Sequence, residues 1–342
     1  MLAKTLILAA AAAAILPLAG SADPAGAAAA QDSRPWNREL AFTLEPADSD
    51  RTDRVNLSLT YSRGPGSRSQ HGRTMAIADL EGLAWADGPT RFRIAREAGT
   101  VDCTGTIAGR RGTGTCRFTP DQGFAAELDR RGIGRPDADD QFHLAMAGVG
   151  RPLLVELERQ GYPRPTVSNL VALGIHGADV DYLRELDAAG YRVRDLDRLV
   201  AFRIHGVSPA YISELAALGG EFREMAPERL VEMRIHGVTP GFARTMTELG
   251  YRGLGPSQLV AMRIHGVTEA RVRDYAALGY NNLSPDALTQ FAIHNVTPAY
   301  ISEMNAAGYS NLSAQQLVNM RIHGVQADDA RAINAALAGS DD

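Results

Sequence analysis

Six histidines recur at nearly constant spacing, and imidazole is the side chain best suited to metal binding and to proton transfer near neutral pH. Each follows an isoleucine, and successive histidines are 29 residues apart except for one gap of 31. Metal ligands must converge to within about 2 Å of one ion, whereas equivalent residues of stacked helical units lie on the order of 10 Å apart. We therefore expect a structural role for them and no metal site. They are His176, His205, His236, His265, His294 and His323.

Motifs for catalysis are not found. The chain has no H-E-x-x-H, no G-x-S-x-G and no phosphate-binding glycine loop. His71 stands in a Ser/Arg/Gly-rich stretch, 62–72, which we expect to be a flexible loop with His71 solvated. We predict a protein that is not an enzyme and uses no cofactor. An envelope enzyme with an unrecognised site is an alternative.

Arginine precedes the Ile-His dipeptide at four of its six occurrences, namely Arg203, Arg234, Arg263 and Arg321. A row of guanidinium groups on one face is suited to an acidic peptide or a phosphate, so these four are candidate partner-binding residues. Pairing inside each unit is the alternative, since Glu214 and Asp274 stand 11 residues after Arg203 and Arg263. The sequence leaves both interpretations open.

The residues around each Ile-His dipeptide form a phrase that ends one helix and begins the next. Gly or Asn follows the histidine, and these residues tolerate the left-handed conformation of a helix C-terminus. Ser-Pro or Thr-Pro comes next in three phrases, as at Thr297-Pro298, which is typical of a helix N-terminus. A fixed period of this size is typical of stacked repeats. We predict an α-solenoid of 29-residue two-helix repeats over 121–338, with about seven repeats after an initial half, and a disordered tail at 339–342.

Residues 32–120 alternate in hydrophobicity and predict a small antiparallel β domain, either a single sheet or a sandwich. Cys103 and Cys116 flank the turn 108–111, and a register that pairs Ile107 with Gly112 places the two cysteines opposite each other. In an exported chain two cysteines are usually bonded. We predict a disulfide between them.

The first thirty residues have the pattern of a secretory signal peptide. Lys4 precedes an apolar run over 5–18, and small residues follow. Ser21 stands where a lipidated cysteine would be needed, so we expect an exported protein without a lipid anchor. An uncleaved N-terminal membrane anchor is the alternative. Lys4 is the only lysine, and alanine is abundant, which favours a high-GC bacterium and hence a periplasmic or secreted location.

Charge argues against a nucleic-acid partner. The whole chain carries a formal charge of −5, and acidic residues outnumber arginines in the predicted array. Binding to phosphate backbones needs a basic patch. We expect no nucleic acid and no integral membrane segment after signal cleavage.

The phrase M-R-I-H-G-V-T-P, at Met233–Pro240 and nearly at Met262–Thr268, is similar to short helical repeats of exported bacterial proteins of unassigned function. Related repeats are appended to membrane metallopeptidases of the penicillin-sensor type. The resemblance covers about 137–338, and Arg96–Thr100 looks like the accompanying β-region. Because the zinc motif of the peptidases is not found in this chain, no catalytic residue is carried over. The resemblance implies a periplasmic accessory or sensor-like module.

Together these patterns predict an α+β protein in two parts, with the β domain preceding the helical array. We expect a non-catalytic scaffold that binds a protein or peptide in the cell envelope. A β domain that binds a small molecule or glycan, with the array as a spacer, is the alternative. The oligomeric state is left open.

Overall fold

The computed structural model describes residues 36, 38–47, 53–64, 66–329 and 331–332. A six-stranded antiparallel sheet is followed by helices to the end of the described chain. The predicted α+β class with two parts is therefore confirmed. The predicted signal peptide at 1–30 and tail at 339–342 lie outside the described residues.

The sheet is built from neighbouring strands that pair in the order β3-β2-β1-β6-β5-β4. Its apolar residues alternate with polar ones, so that one face is buried and the other is mostly solvated. All six strands belong to one sheet, so within the described chain the predicted sandwich is wrong. The strands are β1 (Leu40–Pro46), β2 (Arg54–Gly64), β3 (Ser67–Ala76), β4 (Gly88–Arg96), β5 (Gly99–Ala108) and β6 (Arg111–Pro120).

The β5–β6 hairpin has the predicted register. Cys103 pairs with Cys116 across the ladder and is joined to it by a disulfide, so that prediction is confirmed. On the buried face Gly105 pairs with Gly114, and a Cβ on either residue would lie within 3 Å of the ring of Phe42. Glycine is required there because the aromatic ring packs directly on the backbone.

The described residues of the stretch 62–72 belong to a β-hairpin and do not form the predicted flexible loop. Strand β3 begins at Ser67 and pairs with β2, placing His71 opposite Leu59. The prediction was wrong because glycine, serine and arginine suggest a loop when hydrophobic alternation is weak. Here the backbone hydrogen bonds to β2 supply the order, with Thr74 donating a side-chain hydrogen bond to Asn56.

Fourteen α-helices with fully described bounds follow the sheet, each of eight to ten residues, and residues 327–329 and 331–332 are also helical. They are α1 (Gln122–Arg130), α2 (Ala138–Ala147), α3 (Arg151–Arg159), α4 (Val167–His176), α5 (Val180–Ala188), α6 (Leu196–His205), α7 (Pro209–Ala216), α8 (Pro227–Ile235), α9 (Pro240–Glu248), α10 (Pro256–Ile264), α11 (Glu269–Ala277), α12 (Pro285–Ile293), α13 (Pro298–Ala306) and α14 (Ala314–Ile322). A short 3₁₀ turn at Gly220–Phe222 occupies the irregular gap of 31 residues.

The helix ends have the predicted caps. Gly177 has φ +72° and Asn295 has φ +54°, the left-handed conformation expected after the histidine. Ser284 and Thr297 cap the next helices by accepting a hydrogen bond from a backbone N–H three residues on. These local signals determine where each helix begins and ends.

The helices pack in two series. Helices that end at an Ile-His dipeptide, here called the first helices, pack on one another in the order α4, α6, α8, α10, α12, α14. The second helices, α5, α7, α9, α11 and α13, do the same. Tyrosines of the second helices bridge to the following unit, as where the Tyr211 hydroxyl donates to the Val238 carbonyl at 2.9 Å. In the described part of the chain, no helix has the length and hydrophobicity needed to cross a membrane.

The sheet and the helices share one hydrophobic core. Trp36 packs on Phe118 of β6 and stacks on Phe142 of α2. Arg38 forms an ion pair with Asp139 at 2.6 Å beside the same aromatic group. Arg73 of β3 donates a hydrogen bond to the Met146 carbonyl of α2 at 2.8 Å, and α2 packs on α4, so these three elements lie side by side.

Candidate functional site: an exposed isoleucine row

The isoleucine of every Ile-His dipeptide is exposed. These six side chains retain 47–58 % of their accessible surface and lie at the same place on six first helices that pack side by side. We call them the isoleucine row: Ile175, Ile204, Ile235, Ile264, Ile293 and Ile322. A single exposed isoleucine is ordinary, but a row of six is an apolar stripe of the kind that marks interaction surfaces.

The row is retained although its solvated neighbours vary. The residue seven places before each isoleucine is also exposed, and it is Ser, Asp, Glu, Ser, Asp and Gln in turn. The residue three places before is Ala, Ala, Glu, Ala, Gln and Asn. Simple duplication of a helix would leave all these positions alike. Isoleucine is therefore kept at an exposed position whose solvated neighbours vary from helix to helix.

An apolar margin flanks the row. The residue four places before each isoleucine is valine in five first helices and Thr289 in α12, and it is at least half-buried in every case. Between α6 and α8 this surface forms a shallow groove of about 290 Å³, lined by Ala201, Val231 and Ile235, with His236 at its edge. Apolar side chains of a ligand would fit there.

The six histidines lie beside the row at the C-terminal ends of the first helices. The Nε2 of His294 is 3.1 Å from the side-chain oxygen of Gln290. No group of three metal-binding side chains is arranged to hold an ion anywhere in the described ranges. Each histidine is the polar chain neighbour of one isoleucine of the row.

The four predicted arginines connect adjacent phrases. The Nε of Arg203 donates to the His176 carbonyl at 3.2 Å, and its guanidinium lies 4.6 Å from the ring centroid of Tyr182. The other three stack in the same way on Tyr211, Phe242 and Tyr300. Each arginine thus covers the end of the preceding first helix and an aromatic ring of the preceding second helix.

Arginine occurs only where its aromatic partner occurs. At the phrase where Arg271 replaces the aromatic residue, Ala292 replaces the arginine of the next phrase. Where Leu153 takes the aromatic position, Gly174 takes the arginine position, and a Cβ there would lie 2.6 Å from Ala147. This matching indicates that the arginines join neighbouring units. Partner binding by these residues stays a prediction.

The internal ion pairs considered from the sequence do not form between the described residues. Glu214, proposed to pair with Arg203, instead accepts a hydrogen bond from Arg244 at 3.3 Å. The guanidinium of Arg263 lies over the ring of Phe242, and its buried Nε finds no hydrogen-bond partner in the described structure. Stacking, rather than a carboxylate, positions these guanidinium groups.

A buried carboxylate near the beginning of the array was missed from the sequence. Glu156 is 3 % exposed and accepts hydrogen bonds from Arg159, Gln160 and Arg184. The hydrogen bond from Arg159, helped by those from Gln160 and Arg184, lowers the pKa of Glu156 to about 2. The network joins α3 to α5 and is structural.

The chain has no match among known protein families, curated proteins or solved structures.

Sequence reasoning also missed the isoleucine row. Its isoleucines could not be placed on a solvated face from the sequence, because their exposure depends on the rotation of each helix against its neighbours. One signal was present: Leu173 and Ile175 of α4 are both apolar but lie two positions apart, and residues two apart on a helix face different directions.

Proposed function

We propose that this protein is an exported, non-catalytic scaffold that binds a protein or an extended peptide on the first helices. The observation that carries the proposal is the row of six exposed isoleucines. Full burial of one exposed isoleucine side chain lowers the free energy by about 1.5–3 kcal/mol. Several half-exposed isoleucines covered together would add a favourable apolar contribution to such a complex.

The scaffold we propose is an α-solenoid of two-helix repeats. The recurring Ile-His phrases and the serial packing of like helices support it. The first helices pack on one another more extensively than the second helices do, which favours the inner, concave side for the isoleucine row. Concave surfaces of stacked repeats are suited to long, extended ligands.

The spacing of the row favours one ligand conformation. Packed helices lie about 8–10 Å apart, so the ligand needs an apolar side chain at about that interval. A β-strand repeats a face about every 6.6 Å and an α-helix about every 10.5 Å over seven residues. A polyproline II segment repeats about every 9.3 Å over three residues. We infer an extended peptide with an apolar residue at every third position.

Export to the periplasm or beyond is part of the proposal. The Cys103–Cys116 disulfide supports an oxidising compartment, and the partner would then be a protein or peptide of the cell envelope. Export is tested by separating the cell compartments and detecting the chain in each fraction with an antibody.

The function is tested by capture from cell-envelope extract, with the full chain as bait. The variant carries Ile204→Asp, Ile235→Asp and Ile264→Asp, which place charges on the row without touching the core. The matched control is Val155→Asp, because Val155 is equally exposed (55 %) but lies on α3, away from the row. Candidate partners are identified by mass spectrometry, and their binding to the chain is then tested again with purified proteins.

We expect a partner that binds the native chain and the Val155→Asp chain but not the triple variant. If the triple variant binds as well as the native chain, the row is not the binding surface. If only isolated small molecules or glycans bind, the sheet becomes the place to search for the function.

A further inference from the structure

The two outer edges of the sheet differ. At one edge the middle of β4 is already paired, because Glu81 and Arg93 exchange backbone hydrogen bonds of 2.9 Å. At the other edge β3 pairs with β2 alone among the described residues. Strand β3 therefore keeps an outer edge to which a further strand can be added.

The hydrogen-bond pattern determines which backbone groups of β3 point outwards. Opposite residues of an antiparallel ladder are alternately hydrogen-bonded and not hydrogen-bonded. The Ile77 N–H donates to the Asp53 carbonyl at 2.9 Å, and this pair continues the β2–β3 register. Odd-numbered residues of β3 consequently face β2. The N–H and C=O groups of Gln70, Gly72 and Thr74 face away from it.

Strand β2 gives the same alternation. The Ala47 N–H donates to the Arg54 carbonyl at 3.3 Å, so the even-numbered residues of β2 face β1 and the odd-numbered ones face β3. On the outer edge of β3, the Thr74 carbonyl accepts a hydrogen bond from the Arg54 side chain at 3.4 Å. In the described structure the outward backbone groups of Gln70 and Gly72 have no backbone partner.

Nothing in the strand itself blocks this edge. Edge strands are usually protected by proline, by short length or by a covering segment. Strand β3 has ten residues and contains no proline. A Cβ added to Gly72 would have no described atom within 4 Å. The space beside the outward backbone groups is therefore open.

The charge of the β2–β3 hairpin favours an acidic partner. Each of its two strands contains two arginines and neither contains aspartate or glutamate, although the whole chain has a formal charge of −5. Arg68 is exposed and lies on the same face of β3 as Gln70. Opposite charges stabilise neighbouring strands and like charges destabilise them. A second copy of β3 would bring arginines together, whereas an acidic strand would be attracted.

We propose that the outer edge of β3 binds an extended acidic segment of a partner protein as a seventh, antiparallel strand of the sheet. The backbone of this segment exchanges hydrogen bonds with Gln70 and Gly72, and its carboxylates lie beside Arg68. In strand addition of this kind the backbone hydrogen bonds supply affinity and alternate side chains supply specificity. The inference goes beyond the proposed function and does not depend on the isoleucine row.

The probe is a fluorescent peptide of about ten residues that alternates glutamate and threonine, a length that matches a long strand. Its twin has lysine in place of glutamate. Binding to the full chain is measured by fluorescence anisotropy. We expect the lysine peptide to bind at least about tenfold more weakly, because several cross-strand charge pairs change from attractive to repulsive.

N-methylation of the peptide separates backbone pairing from charge attraction. When the glutamates lie on the same sheet face as Arg68, their N–H groups point towards β3 and those of the threonines point away. Methylation of the glutamate nitrogens is therefore expected to abolish binding, and methylation of the threonine nitrogens to preserve it. Equal binding of the two methylated peptides overturns the inference.

Gly72→Pro closes the edge and leaves the β2–β3 ladder intact, because the Gly72 N–H points outwards and proline is tolerated at such edge positions. The matched control is Gly72→Ala, which retains the N–H and places its Cβ in open space. We expect Gly72→Pro to weaken binding of the glutamate peptide at least about tenfold and Gly72→Ala to change it by less than about twofold. Urea unfolding confirms that both variants are folded, and the methylated peptides test the inference on the native chain.

Three results distinguish the alternatives. Binding by Gly72→Pro that equals binding by the native chain overturns the inference. A native chain that is dimeric without peptide, and monomeric as Gly72→Pro, would assign the edge to a second copy and also overturn it. The triple isoleucine variant is expected to bind the glutamate peptide as the native chain does, so failure at the edge and failure of the proposed function are measured separately.

Discussion

The guanidinium of Arg203 lies 4.6 Å from the ring centroid of Tyr182, which belongs to the preceding phrase. The same contact recurs for every arginine of the series, and arginine is replaced wherever the aromatic ring is replaced. Neighbouring units are therefore joined by a cation–π contact in addition to their hydrophobic packing.

A double-mutant cycle on Arg234→Ala and Tyr211→Leu tests this link. The guanidinium carbon of Arg234 lies 4.8 Å from the ring centroid of Tyr211. We therefore expect a coupling of about 0.5–1 kcal/mol between the two substitutions in the free energy of unfolding, measured with urea. Arg68→Ala combined with Tyr211→Leu is the control and should be additive, because Arg68 lies on the sheet. Additivity in both cycles would show that the pair contributes nothing.

The missing link can be rebuilt. We expect Arg271→Tyr with Ala292→Arg to stabilise the chain relative to the sum of the single changes, by about 0.5–1 kcal/mol. Ala292→Arg alone places a second cation near Arg271 and should be neutral or destabilising. The thermal stabilities of the native chain, the two single variants and the double variant are compared. A double variant whose stability change equals the sum of the single changes would contradict the pairing.

Acid should weaken the array through Glu156. Its pKa is lowered from 4.5 to about 2, so the folded chain holds its carboxylate more strongly than the unfolded chain does. That stability is fully present above about pH 4.5 and is lost as the pH falls towards 2; it amounts to about 3 kcal/mol at most. Urea unfolding at pH 7 and pH 3 should show a smaller pH effect in Glu156→Gln than in the native chain. Glu158→Gln, on the same helix but exposed, should leave the native pH effect unchanged.

The isoleucine row should be dispensable for folding. Ile235→Asp is expected to change the free energy of unfolding by less than about 0.5 kcal/mol, as for other surface positions. Met233→Ala, two residues earlier and fully buried, should cost about 2–5 kcal/mol. A large loss in Ile235→Asp would make the row part of the core and remove the argument for a binding surface.

The disulfide should stabilise the sheet. Replacing Cys103 and Cys116 by serine opens a loop with a sequence separation of 13 residues, which is expected to cost about 3 kcal/mol. The urea midpoint of the double variant is compared with that of the native chain, with and without reductant. An unchanged midpoint would show that the hairpin is held by its strand pairing alone.

The sequence by itself determined the local structure of this protein. The αL position after His176, the N-cap at Ser284 and the register that joins Cys103 to Cys116 all depend on residues close together in the chain. Their conformations follow from steric limits and short-range hydrogen bonds, so they could be predicted without knowing how the helices pack.

Only the tertiary structure decided which side of each helix is solvated and which distant groups meet. The exposure of Ile204, the contact of Arg203 with Tyr182 and the approach of His71 to His143 depend on packing between elements far apart in sequence. Periodicity places a residue on a helix face, but only the neighbouring helices determine whether that face is covered. The candidate site could not be predicted from the sequence for that reason. Its isoleucines differ from core residues in solvent exposure and not in residue type.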